Sequence, residues 1–194
     1  MTAAHKPNGM VCLLTDFGRQ DPYVGIMQAV ILGIAPQARL VDLTHDVRPQ
    51  QVDQASFLLA TALPHCPPGA VLLAVIDPEV GTERRAVAVE TDSHFFVAPD
   101  NGLLSDVLEL EESRRAVSLE RPETWHTRVP SATFHGRDVF APAAARIAAE
   151  TPLHELGPEI DPRSLYRFDM SPPAPNADGS VRGRVRHVDR FGNA

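Results

Sequence analysis

The run Ala70-Val-Leu-Leu-Ala-Val-Ile76 holds seven residues without one polar side chain. A strand with one face in water alternates polar and apolar residues, whereas a strand of a parallel sheet covered on both faces does not. This run therefore calls for a layer on either side of it. The chain before it supplies them. Met10-Val-Cys-Leu-Leu-Thr15 reads as a first buried strand, and Val24, Met27, Ile31 and Ile34 follow at helical spacing until Pro36. Asp21-Pro22 offers that helix an N-cap followed by proline at the first helical position. Arg39-Leu-Val-Asp-Leu-Thr44 reads as a second strand, and Val52, Ala55, Leu59 and Leu63 form a second helical stripe that ends at Pro64. Strand, helix, strand, helix, strand is the order of an α/β layer fold.

After Ile76 the strands come closer together, which makes the sheet mixed. Arg85 to Glu90 alternates, His94 to Ala98 is apolar, and Arg115 to Leu119 follows a short helix near Leu103 to Leu110. Arg137 to Glu150 is Ala-rich and helical. Pro152 to Asn176 carries many prolines without a period and reads as a linker, and Val181 to Val188 reads as a new strand close to the end of the chain. Proline makes up 18 of 194 residues, against a usual share of about 5%, so short elements and fixed turns are expected throughout.

With 43% hydrophobic and 22% charged residues, disorder, collagen-like repetition and a heptad rod are excluded. The net charge is −7 and Lys and Arg form no stripe, which argues against nucleic acid as a partner. The longest apolar run, around Ile26 to Ala35, falls short of the roughly 20 residues that span a bilayer, and the start of the chain has no apolar signal core. A cytoplasmic protein is expected, with no membrane partner. Cys12 and Cys66 have no metal-ligand spacing and sit in apolar company, as small buried residues rather than a disulfide.

In open parallel sheets ligands bind beyond the carboxyl ends of the strands. Asp16, Asp77 and Asp100 all fall there; sharing one site they suit hydroxyl groups or a cation, and taken singly each suits a cap or a turn. Asp77-Pro-Glu-Val-Gly-Thr-Glu-Arg84 brings an acid and an arginine into one short loop after the fully apolar strand, where a desolvated charge acts far more strongly than in water. His135, in Thr133-Phe-His-Gly-Arg-Asp138, precedes a helix, where amides and the dipole favour an anion. The other histidines, from His5 and His45 to His187, have no comparable setting. There is no GxGxxG after the first strand, no GxxxxGK[ST], no G-x-S-x-G, and no set of metal ligands. Composition and spacing reach an α/β enzyme with acids, an arginine and a histidine at the carboxyl edge of its sheet. They do not name a substrate.

Six separated segments occur in a telling order: Leu13-Leu-Thr-Asp-Phe-Gly18, Asp42-Leu-Thr-His-Asp46, Val75-Ile-Asp-Pro-Glu-Val-Gly-Thr-Glu-Arg-Arg85, Ala98-Pro-Asp-Asn-Gly-Leu103, Thr133-Phe-His-Gly-Arg-Asp138 and Val188-Asp-Arg-Phe-Gly-Asn193. Together they resemble the S-adenosylmethionine hydroxide adenosyltransferases, hydrolases related to the fluorinating and chlorinating enzymes. The resemblance implies an N-terminal α/β domain with sandwich-like layers and a mostly parallel sheet over residues 1–172. Residues 173–194 would be a linker and the first strand of a small all-β, barrel-like C-terminal domain.

It also implies hydrolysis of S-adenosyl-L-methionine to adenosine and L-methionine by attack of water or hydroxide on ribose C5′, without a cofactor. Arg84 would stabilise the hydroxide, Asp77 and His135 would orient the water and Arg84 or take the proton, and the Gly136 amide would donate to the nucleophile. For binding, it points to Asp16 for the ribose hydroxyls, Asp189 for the methionine ammonium, Phe191 against adenine and Asn193 for adenine hydrogen bonds, at a subunit interface in a homotrimer. Glu79 stands where the family commonly has glycine and adds a negative charge close to the proposed hydroxide. Asp77 and Val80 stand where the halogenating relatives carry tyrosine and threonine, which favours water over halide. The alternatives are a non-catalytic adenosine or S-adenosylmethionine binding protein and a halide-dependent adenosyltransferase.

Overall fold

The structure, a computed structural model, describes residues 6–194; His5 and the first residues read above for signal character lie outside them. The sheet has seven strands: β1 (Met10–Thr15), β2 (Arg39–Thr44), β3 (Val71–Val75), β4 (Ala86–Thr91), β5 (Phe95–Pro99), β6 (Ser113–Ser118) and β7 (Glu159–Ile160). Their spatial order is β2-β1-β3-β5-β4-β6-β7. β2, β1, β3 and β5 are mutually parallel, while β4 and β7 run against their neighbours, so most strands share one direction.

Among the described residues four α-helices complete the fold: α1 (Tyr23–Ile34), α2 (Val52–Ala62), α3 (Val107–Leu110) and α4 (Ala141–Ala148). The crossover β1-α1-β2 moves outward on one side, and β2-α2-β3 passes back over β1 to the other. Crossovers of one hand made in opposite directions put their helices on opposite faces. α1 and α4 accordingly cover Val11, Leu13, Leu73 and Val75, whereas α2 and α3 cover Cys12, Leu14, Leu72 and Ala74. All five residues of β3 are buried, which is why the run shows no alternation.

Several local expectations change. Asp21 does not cap α1: Pro22 is the capping residue, and its carbonyl accepts the Ile26 N–H at 2.8 Å. The Arg137–Glu150 helix begins as a π-turn over Gly136–Phe140 before α4 starts, since Pro142 in the first turn of α4 has no N–H to extend a regular ladder backward. The proline-rich stretch after Pro152 is not all linker. Leu153, Leu156 and Leu165 are buried and β7 joins the sheet edge; three-residue 3-10 turns and a two-residue strand are too short to leave a period.

Val181 to Val188 does not form a strand among the described residues. Only Val181 bridges, to Pro175, because the segment is drawn onto α2 by its side chains. Arg186 Nη2 bonds Asp106 Oδ2 at 2.5 Å and the Asp53 carbonyl at 2.8 Å, its guanidinium stacks on Phe57, Arg184 pairs with Asp53, and His187 Nδ1 meets Gln54 Nε2 at 2.8 Å.

Candidate active site

Because β2 leaves β1 on one side and β3 on the other, the sheet order reverses at β1, and the loops beyond β1 and β3 diverge to leave a crevice. A cleft of about 280 Å³ lies there, lined among others by Asp16, Asp77, Val80, Phe134, His135 and Gly136.

Asp77 and Arg84 close the two ends of the loop between β3 and β4, and their side chains are 5% and 6% exposed. Arg84 Nε donates to both carboxylate oxygens of Asp77, at 2.9 and 3.0 Å, and Nη2 donates to Oδ2 at 2.5 Å. The same Nη2 lies 2.7 Å from His135 Nδ1. A guanidinium can only donate, so Nδ1 accepts and a neutral His135 carries its proton on Nε2. The Arg84 guanidinium also stacks over Phe140, 5.2 Å from the ring centre. Burial, and then the charge of Arg84, hold the His135 pKa below its ordinary 6.5, with Asp77 and Asp138 pulling the other way.

Two devices bring the loops together. Gly81, at φ 79°, is so close to the 131–135 segment that a Cβ would lie 2.4 Å from the Ala132 carbonyl oxygen. Asp138, fully buried, accepts the Ser131 N–H at 2.8 Å and both Arg137 Nε and Nη2, at 2.6 and 2.9 Å. That carboxylate ties the turn before His135 to the turn after it.

Asp16 faces Asp77 from the end of β1. Its Oδ2 accepts the N–H of Gln50 at 2.8 Å, and Gln50 is one of two described non-glycine residues with positive φ, at 64°. Burial raises the Asp16 pKa and the Asp77 charge adds to it, while the Gln50 N–H works against both. His45, with no exposed surface, holds the turn that presents Asp16. Its Nδ1 is 2.9 Å from Thr15 Oγ1, its Nε2 is 3.1 Å from Asp42 Oδ1, and its carbonyl accepts the Gly18 N–H at 2.8 Å. Phe17, Tyr23 and Phe134 pack edge to face beside the cleft.

The structure thus brings Asp16, Asp77, Arg84 and His135 to one place, with Gly136 beside them. Asp100 does not join them: Arg85 Nε holds it at 2.8 Å and the Tyr166 N–H at 2.8 Å, over the end of β5. Glu79 is exposed and does not line the cleft. Nor do Asp189, Phe191 and Asn193. Asp189 accepts the backbone N–H groups of Phe191 and Asn193, at 2.9 and 2.8 Å, in an exposed turn from which Phe191 projects 89% exposed. Gln50, His45 and Asp138 were not singled out from the sequence. His45 and Asp138 do lie inside two of the six quoted segments, whereas nothing marked Gln50, whose part is played by its backbone.

Residues 11–157 match the sequence model of the SAM hydroxide adenosyltransferase N-terminal domain. The chain belongs to the SAM hydroxide adenosyltransferase family. Among relatives, an (R)-S-adenosyl-L-methionine hydrolase of Thermus thermophilus is 46% identical over 190 residues, covering 95% of this chain and 72% of that protein. A fluorinase of Nocardia brasiliensis is 25% identical over 217 residues, covering all of this chain and 72% of that protein. The crystal structure of an uncharacterized conserved protein from Thermotoga maritima superposes with a TM-score of 0.86 at 40% identity, over 94% of this chain and 68% of that one. In this member of the family the matched domain ends two residues before β7, so the cleft and all four clustered side chains fall inside it.

Proposed function

We propose that the chain hydrolyses S-adenosyl-L-methionine to adenosine and L-methionine, with Asp77, Arg84 and His135 as the catalytic group and Asp16 as a substrate-binding residue. The observation that carries this reading is the continuous hydrogen-bonded array from Asp77 through Arg84 to His135, whose two ends, Asp77 and His135, line a cleft that also holds Asp16. The chain's 46% identity to a hydrolase of this substrate, against 25% to a fluorinase, supports water as the nucleophile.

The sulfonium leaves as a neutral thioether, so departure needs no acid and the reaction needs no cofactor. What remains is to hold water in line with C5′ and to make it act as hydroxide. Arg84 spends Nε and Nη2 on its two partners and keeps Nη1 for the oxygen nucleophile, where its charge stabilises the developing hydroxide. Asp77, with both oxygens held by Arg84, is a fixed anion that positions the guanidinium. His135, kept neutral by burial and by Arg84, spends its Nδ1 lone pair on Arg84 and presents Nε2–H, a donor that orients the oxygen nucleophile and stabilises it as hydroxide, the water's proton passing to solvent. The Gly136 N–H is a further donor to the nucleophile. Asp16 accepts from the ribose hydroxyls and adds negative charge that suits a sulfonium cation.

Asp189, Phe191 and Asn193 bind methionine and adenine from a neighbouring copy in a homotrimer. Their exposed turn away from this chain's own cleft supports that arrangement. The assembly is cytoplasmic; among the described residues no helix is long and apolar enough to cross a membrane. Residues 1–172 form the catalytic domain, and 173–194 open a second one.

Incubation with S-adenosyl-L-methionine, followed by chromatography, tests the reading. Adenosine and methionine in equal amounts are expected. Ligand binding without adenosine would leave a binding protein, and 5′-chloroadenosine on adding chloride would make the chain a halide-dependent adenosyltransferase.

A further inference from the structure

Cys12 and Cys66 take no part in that chemistry, yet their sulfurs face each other across 4.0 Å. Cys12 points to the α2 side of β1, as does Leu14 two residues on. Cys66 ends the 3-10 turn that follows α2, where its N–H donates to the Leu63 carbonyl at 3.0 Å. Both are free thiols. Their access differs: Cys12 is 2% exposed, whereas Cys66 is only half-buried, so a small oxidant arriving from solvent meets Cys66 first.

The surroundings divide their chemistry in the same sense. The hydrogen bond with Cys12, and then the charge of His94, bring the Cys66 thiol down to about 7 against the effect of burial, and Cys12 is pushed up. His94 is placed for this: its Nε2 lies 3.1 Å from the Cys66 carbonyl and its Nδ1 lies 2.7 Å from Glu111. Thiolate character and exposure are what make a cysteine reactive toward peroxides, and an adjacent thiol is what resolves the product.

We infer that Cys66 and Cys12 form a hydroperoxide-reactive site, in which Cys66 is oxidised first and Cys12 resolves it to an intramolecular disulfide. In the first step the Cys66 thiolate attacks the terminal oxygen of a hydroperoxide. An S–O bond forms and the O–O bond breaks: the terminal oxygen passes with its hydrogen to Cys66, which becomes a sulfenic acid, and the other peroxide oxygen leaves as an alkoxide or hydroxide that takes one proton from solvent. In the second step the Cys12 sulfur attacks the Cys66 sulfur. The S–S bond forms, the S–O bond breaks, and the departing hydroxide combines with the Cys12 thiol proton to leave as water. The sulfurs must close from 4.0 Å to about 2 Å, and Cys66, placed on a turn rather than in the sheet, is the partner that moves.

The test treats the full chain with hydrogen peroxide, denatures it in iodoacetamide and measures the intact mass. The reduced chain should take two alkyl groups; after peroxide it should take none and weigh about 2 Da less, the two hydrogens lost to the disulfide. Proteolysis without reductant should yield one species joining the Cys12 and Cys66 peptides. In Cys12→Ser, Cys66 should accumulate as sulfenic acid trapped by dimedone, and in Cys66→Ser, Cys12 should stay alkylatable at the same dose. Two alkylatable thiols after peroxide, disulfides between chains, or Cys66 running to sulfinic acid (about +32 Da) beside a free Cys12 would each overturn the proposal. If either variant fails to fold, the wild-type mass and peptide map decide alone.

Discussion

Arg84 Nη2 and His135 Nδ1 lie 2.7 Å apart although 51 residues separate them in the chain. The contact fixes the tautomer of the histidine and leaves the arginine shared between an anion and a neutral imidazole. Arg84→Ala should lower kcat by at least ~10²-fold, since one preorganised charge at a developing oxyanion is worth that much. It should also cost about 3 kcal/mol of stability by leaving Asp77 buried and unpaired. Arg84→Lys keeps the charge without the fork and should recover stability more than rate. Adenosine release and thermal unfolding measure the two effects; turnover at the wild-type level in either variant removes Arg84 from the mechanism.

The pH profile of kcat/KM should carry two groups on its acid side. Asp16, raised from 3.8, must be ionised to accept from the ribose, and His135, lowered from 6.5, must be neutral to keep accepting from Arg84. The shifts run toward each other, so the fall should lie between those two values and be steeper than one proton. A shallow limb centred at or above 6.5 would count against a neutral, buried His135; kcat/KM measured across about pH 4 to 8 distinguishes the two outcomes.

Asp138→Asn should lower kcat about tenfold with little change in KM, by loosening the turn that aims His135. Because the Asp138 charge raises the His135 pKa, removing it should also move the acid limb further down, a displacement that loss of packing alone would not give. An upward displacement would refute the electrostatic part of this role.

Gly81→Ala combines a positive φ with a Cβ 2.4 Å from the Ala132 oxygen. Separation of the two loops should cost more than about 1 kcal/mol in thermal or denaturant unfolding, and kcat should fall with it. An alanine tolerated without loss of either would mean that the loops do not depend on this approach.

Arg186→Ala should free the chain after about residue 176 from α2, because Arg186 bridges Asp106 and Asp53. Faster hydrogen exchange and proteolysis in that segment, with the sheet unchanged, is the expected result. Equal protection would show that Arg184 and His187 suffice.

The strand and helix runs from Met10 to Ile76 made the first three strands and two helices legible, since burial on both faces leaves β1 and β3 almost continuously apolar. β7 and the turns around it were not legible, because elements of two or three residues have no period to read. The same limit applies at the site. Strand ends marked Asp16 and Asp77, but also Asp100, and only the packing of Arg85 and the Tyr166 N–H against that third carboxylate removed it.

The sequence by itself determined the alternation of strand and helix up to β3 and the three kinds of group the chemistry needs, because these follow from hydrophobic pattern and residue type. The tertiary structure decided which groups meet. Arg84 joins His135 because α4 and its π-turn pack across the ends of β1 and β3, a consequence of many nonlocal contacts that no short segment encodes. It also decided what two unremarkable residues can do: Cys12 and Cys66 are read singly as core, and only the return of the chain after α2 places one sulfur 4.0 Å from the other.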